Sequence, residues 1–200
     1  MTEKKRVAAK ELFVKYGPIL KANILRENKF CSREVAELVS CGLIQKIKNG
    51  YYMLSDASND LSDIELAAKV FPYGAICLFS AAQLYELTTV NPTEVYVAIP
   101  STRTRITLPQ YPPIDLISVS NSLFNMGLTK LKMTNETILI YDRERTVCDF
   151  FRKRSIVGDD VALEVLQNYM AGSRNLQLLF EYAGRLRIKK IVKPYVEALI

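Results

Sequence analysis

Between residues 32 and 54 the apolar positions change period once, from that of a helix to that of a hairpin. Val35, Leu38 and Val39 follow the i, i+3, i+4 spacing of one buried helical face. Ser32 is the expected N-cap, a position where a hydroxyl contributes about 1 kcal/mol by accepting an orphan backbone N–H. Gly42 stands where a helix end favours a left-handed residue. Leu43 to Lys48 and Tyr51 to Leu54 then flank Asn49-Gly50, a turn signal in which both central residues are expected at positive φ. Upstream, residues 5–16 read as a helix with Val7, Leu12, Phe13 and Tyr16 inward, broken by Gly17-Pro18. Residues 19–28 read as a second helix carrying Ile19, Leu20, Ile24 and Leu25. Three helices and a hairpin in this order predict a winged helix-turn-helix.

Ser55 to Asp60 is a short polar stretch and sets the expected boundary between a domain at 1–55 and a second at 61–200. Ser62 and Glu65 have capping-box spacing, ahead of a helix with Ile64, Ala67, Ala68 and Phe71 on one face that ends before Pro72. Ser80 to Leu87 reads as helical after a short extended piece. Glu94 to Ile99 is rich in β-branched and aromatic residues and predicts a strand, as does Asp115 to Ser120. Ser101 to Pro113, with Arg103, Arg105 and three prolines, reads as a loop. Residues 131–133 and 137–141 are set to pair across Thr134-Asn135-Glu136. Helices are expected at 142–154, 159–171, 174–186 and 188–199. Strands followed by a run of helices make the second domain mixed and the chain α+β.

Net charge alters this picture once it is located. Residues 1–55 hold eleven Lys/Arg and five Asp/Glu, so the whole formal excess of +6 lies there; residues 56–200 hold sixteen of each. A basic domain beside a neutral one is the electrostatic footprint of phosphate contact, and also of a merely solvated basic face. Ser32, Arg33, Lys46, Lys48 and Asn49 are the candidate DNA contacts on the helix start and the hairpin, joined by the basic start Lys4, Lys5 and Arg6. Glu34 and Glu37 fall on the outward side of the same helix and repel phosphates, which shifts the expected affinity to the first turn and the hairpin. Solubility of an exposed edge strand is the competing account of the hairpin lysines.

Other chemistry is thinly represented. The chain contains no histidine, which excludes Ser-His-Asp and Cys-His catalysis and every histidine metal site. Cys31, Cys41, Cys77 and Cys148 lack zinc-ligand spacing and are expected as buried free thiols. None of the eight glycines forms GxxxxGK or GxGxxG. The start is basic, but residues 7–16 carry Lys10, Glu11 and Lys15, unlike a secretory signal. The longest uncharged run, 70–85, is interrupted by Pro72 and Gly74 and falls short of the roughly 20 residues a membrane span needs. A cytoplasmic protein without a cofactor, metal or membrane partner is expected.

Residues 142–154 merit a test for chemistry. As a helix they turn Val147, Phe150 and Phe151 inward, and Arg145 and Asp149 stand four apart on one face, the spacing of an ion pair worth only about a few tenths of a kcal/mol when exposed. Three readings stand: Asp142 caps the helix and the charges bind neighbouring loops; the charges form a polar interaction surface; or the carboxylates bind a metal. The last lacks a second acidic cluster upstream.

Gly50 to Leu54, Ala75 to Leu87, Pro92 to Pro100 and Ile140 to Arg152 occur in an order that resembles the AbiEi family, antitoxins of type IV toxin–antitoxin (abortive infection) systems. The resemblance spans nearly the whole chain, and Asp142-Arg-Glu-Arg-Thr146 with Asp149 is its most specific part. It implies a bacterial autorepressor that binds inverted repeats in its own promoter, with room for two protomers on that DNA. It also implies antagonism of a nucleotidyltransferase-type toxin without a stable complex, through a second-domain surface for which Arg143, Arg145, Asp149 and Arg152 are the candidates. A winged-helix protein-interaction module and a metal-dependent nuclease or transferase are the alternatives.

Overall fold

The computed structural model describes residues 2–55, 61–103 and 106–199, which form an α+β fold with eleven helices and two sheets among the described residues. The expected linker at 56–60 and Arg105 lie outside the described residues. None of the described helices is long and apolar enough to cross a membrane.

The first sheet is antiparallel and three-stranded, in the order β1 (Ile19–Lys21), β3 (Tyr51–Leu54), β2 (Ile44–Lys48). Helices α1 (Glu3–Tyr16), α2 (Ala22–Glu27) and α3 (Ser32–Ser40) pack with it around Phe13, Leu20, Leu25, Leu38 and Ile44. Several expectations are corrected here. The expected helix at 19–28 begins as strand β1, because Ile19 to Lys21 pair with Met53 to Tyr51. That pairing spans thirty residues or more and leaves no local signal. In α1 the buried stripe runs through Ala9 and Phe13, so Val7 and Tyr16 stand about half exposed. In α3 Val35 and Leu38 are buried, but Val39 is exposed.

The turn between β2 and β3 also differs. Gly50 takes φ +78°, whereas Asn49 is not among the residues at positive φ, and the ladder slips between Lys46 and Lys48. One left-handed glycine with a bulge replaces the paired positive-φ turn. Gly42 ends α3 at φ +73°, as expected.

The second sheet has the order β6-β5-β4-β8-β7. Its strands are β4 (Ala75–Ile76), β5 (Val95–Pro100), β6 (Ile114–Val119), β7 (Leu128–Lys132) and β8 (Thr137–Tyr141). The β5–β6 and β4–β8 pairs are parallel; β4–β5 and β7–β8 are antiparallel. Alternate side chains go to opposite faces. Ile76, Val97, Ile99, Ile138 and Ile140 pack under α4 (Asp63–Val70), while Ala75, Ala98, Val119 and Tyr141 meet a helical layer. That layer comprises α5 (Leu78–Leu84), α7 (Arg143–Arg152), α9 (Asp159–Ala171), α10 (Leu176–Arg185) and α11 (Lys189–Ala198); two four-residue helices, α6 (Asn121–Phe124) and α8 (Arg154–Val157), complete the eleven. Burial on both faces explains why β5 reads as an unbroken apolar run. The Ser62–Glu65 capping box is present, with Ser62 N–H donating to the Glu65 carboxylate at 3.0 Å and Glu65 N–H to Ser62 Oγ at 3.3 Å.

Ile47 and Met53 of the hairpin belong to the same buried cluster as Val70, Phe71 and Ile76. The hairpin is thus packed onto the second sheet's α4 side.

Candidate nucleic-acid interface and a buried charged helix

At the start of α3 the cap is Cys31, not Ser32, which is the first helical residue and is exposed. The capping role passes to Glu34: its carboxylate accepts the Cys31 backbone N–H at 2.9 Å and also binds Lys5 Nζ. The bond from Lys5, and then the one from Cys31, draw the Glu34 pKa down to about 2. Lys5 also lies over the Phe30 ring, 5.7 Å from its centre. One turn on, Arg33 Nε is 3.4 Å from Glu37 Oε1, and on α1 Arg6 Nη1 is 3.7 Å from Glu3 Oε2. The α3 glutamates that were expected to repel phosphate are therefore compensated by two of the residues expected to bind it.

The hairpin divides its candidates. Lys46 and Asn49 are exposed, and Lys46, like Lys4, has no ion-pair partner among the described residues. Lys48 is turned into the protein. Its Nζ donates to the Val70 carbonyl at 3.0 Å and lies 4.4 Å from the centre of the Phe71 ring and 4.5 Å from that of Tyr51. Val70 is the last residue of α4, so the ammonium meets the negative end of that helix. Burial, and next the charge of Lys21, lowers the Lys48 pKa. On the same hairpin the Ile47 carbonyl accepts the Gln110 N–H at 3.0 Å.

Neither protein-family models nor curated proteins match this chain. Its functional reading rests on the residues themselves. Lys4, Ser32, Lys46 and Asn49 are open to an incoming polyanion; Lys5, Arg6 and Arg33 are shared with carboxylates; Lys48 is committed to α4.

On α7 the structure follows the first of the three readings, in which Asp142 caps the helix and the charges bind neighbouring segments, and differs from the single polar surface. Asp142 is the N-cap, accepting the Arg145 N–H at 2.7 Å, as the sequence indicated. Val147, Phe150 and Phe151 are buried, but so are Arg145 at 0% and Asp149 at 8% exposure. Arg145 Nε donates to Asp149 Oδ1 at 3.0 Å, and Nη1 donates to the Leu123 and Met126 carbonyls at 2.8 and 2.9 Å. The ion pair is internal rather than exposed. Arg143 is half-buried and donates to the Tyr85 carbonyl at 3.2 Å. Of the four residues proposed for one surface, only Arg152 is exposed. The physical reason is that α7 meets the sheet on one side and α9, α10 and α11 on others, so charged residues satisfy their bonds inward.

Glu144 follows the same rule, accepting from Tyr169 Oη at 2.9 Å and Asn175 N–H at 3.1 Å. Burial, foremost, raises the pKa of Asp149 despite the opposing Arg145. The thiols divide: Cys77 and Cys148 are buried, whereas Cys31 and Cys41 are exposed, contrary to expectation. Sequence reasoning also missed Tyr141, whose ring lies 4.3 Å from the Arg145 guanidinium. Its place at the end of β8, directly before the Asp142 cap, was the available signal.

Proposed function

We propose that this chain is a DNA-binding transcriptional autorepressor and the antitoxin of a type IV toxin–antitoxin system, working in the bacterial cytoplasm. The observation that carries the DNA-binding half is the arrangement of residues 2–55. Helices α2 and α3 are followed by the β2–β3 hairpin, β1 completes a small sheet, and the entire +6 excess falls within residues 1–55. Read as a winged helix, α3 faces the major groove with its first turn, and Lys46 with Asn49 forms the tip of the wing beside the backbone. The antitoxin half rests on the resemblance of residues 140–152 and belongs to the second domain, with Arg152 the accessible member of that segment. The toxin is a nucleotidyltransferase-type protein opposed without a stable complex.

Binding to the chain's own promoter region, titrated over a series of salt concentrations, tests the first half. Specific retention of an inverted repeat, with affinity falling steeply as salt rises, supports it; equal binding to scrambled DNA removes it. Growth rescue from the cognate toxin tests the second, with Arg152→Ala expected to weaken rescue while leaving promoter binding intact. The docked hairpin favours one alternative, an interaction module that binds protein through its first domain. That reading predicts a stable complex and no promoter footprint.

A further inference from the structure

A cavity of about 300 Å³ lies where β5 and β6 meet α7, and of its lining the proposed function uses Arg152 but not the interior. Its lining contains Arg145 and Tyr141, both fully buried, together with Asp149, Arg152 and Lys153. Arg145 and Tyr141 each carry a buried polar atom without a hydrogen-bond partner among the described residues: Arg145 Nη2 and the Tyr141 hydroxyl. The Arg145 guanidinium is held over the Tyr141 ring, and its Nε and Nη1 are anchored by Asp149, Leu123 and Met126, which fixes the remaining nitrogen. Burial raises the Tyr141 pKa, so the phenol keeps its proton and can donate.

An unpaired buried donor is costly, and two beside one cavity mark an unfilled acceptor position. The cavity is about ten times the roughly 30 Å³ share of one liquid water, so a single bridging water does not fill it. Three cations stand against one carboxylate in the lining, and that carboxylate already spends an oxygen on Arg145. Leu78, another wall residue, is held at φ +45°, a conformation that persists in a bulky residue only where its surroundings impose it.

We propose that this cavity binds a small organic anion whose phosphate or carboxylate head group accepts from Arg145 Nη2 and the Tyr141 hydroxyl, with Arg152 and Lys153 at its rim. Ser118 and Ser120 offer hydroxyls to the body of the ligand, beside the apolar Ile117 and Val119.

The test is calorimetric titration of the full chain with inorganic phosphate, glycerol phosphate and succinate. Tyr141→Phe deletes an unpartnered hydroxyl and keeps the ring, so it is expected to fold and melt at least as well as the parent without anion. Arg152→Ala alters an exposed side chain, and Lys10→Ala, exposed on α1, serves as a surface control outside the cavity lining. The expected result is one saturable site, weakened about tenfold or more by Tyr141→Phe, since a hydrogen bond to a charged group is lost. Arg152→Ala is expected to weaken it less, and Lys10→Ala not at all. Tighter binding of the phosphate probes assigns a phosphate head group; tighter binding of succinate assigns a carboxylate. Absence of saturable binding by all three overturns the proposal. So does binding that Tyr141→Phe and Arg152→Ala leave unchanged, which would place the anions on surface cations.

Discussion

Helices α3 and α7 each carry a basic residue four positions before an acidic one, and the two pairs end up in opposite environments. Arg33 and Glu37 pair at 3.4 Å with side chains 88% and 36% exposed; Arg145 and Asp149 pair at 3.0 Å with side chains 0% and 11% exposed. The spacing specifies that the partners can meet. The number of elements packed around the helix decides whether they meet in water. α3 buries one narrow stripe against a small sheet, whereas α7 is enclosed by a five-stranded sheet and by α5, α9, α10 and α11. A charge cluster on a surface helix is available to a partner, while the same cluster on a central helix organises its own domain.

The largest test of this contrast is to delete one member of each pair. Asp149→Ala leaves the Arg145 guanidinium buried with its main ionic partner gone, and is expected to cost about 3–5 kcal/mol in equilibrium denaturation. Arg33→Ala, at the matching position of α3, is expected to leave the denaturation midpoint unchanged. Equal effects would erase the distinction between the helices.

A smaller effect is expected behind Arg145. Gly127 has φ +73°, and a Cβ there would stand 2.6 Å from the Arg145 Cβ. Gly127→Ala therefore meets both backbone strain and a fixed neighbour, and is expected to destabilise by more than about 1 kcal/mol. Gly42→Ala shares φ +73° but meets no atom within 4 Å, so it should cost less in the same melting experiment.

Much of this architecture was legible in the sequence, and the failures share a cause. The four C-terminal helices, the β7–β8 hairpin and the Ser62–Glu65 cap follow from short-range periodicity and capping chemistry. Strand β1 escaped because its partner β3 is remote in sequence. The inward role of Lys48 escaped for a related reason. A charged side chain reads as exposed unless its partner is visible nearby, and here the partner is the backbone carbonyl of Val70, remote in sequence. The cavity was illegible because β5, β6 and α7 meet only in three dimensions.

Acid titration sharpens the comparison with opposite signs. Glu34 is held at about 2 against an ordinary 4.5, so the folded chain binds that proton more weakly than the unfolded chain. Its stabilising contribution is complete above about 4.5 and is lost as pH falls towards 2. Asp149 is raised by burial, so its contribution runs the other way: stability falls as pH rises from its ordinary 3.8 towards the raised value. In denaturation midpoints measured across acid pH, Glu34→Gln is expected to flatten the rise of stability with pH. Asp149→Asn is expected to steepen it above about 3.8, whatever its cost in absolute stability. A flattened curve for Asp149→Asn would show a depressed carboxyl and remove the contrast.

The smallest effect separates two lysines of one hairpin. Each phosphate neutralised contributes about −0.9 to the slope of log affinity against log salt. Counting by sequence alone assigns both Lys46 and Lys48 to phosphate, with about two units lost on removing both. In the structure Lys48 Nζ is bonded to the Val70 carbonyl and set over two rings, whereas Lys46 is exposed and without an ion-pair partner among the described residues. Lys46→Ala is therefore expected to reduce the slope by about 0.9 in promoter-binding titrations. Lys48→Ala is expected to leave the slope unchanged and to lower thermal stability instead, through the lost contact with the end of α4. A reduced slope for Lys48→Ala would mean that the hairpin leaves α4 when DNA binds.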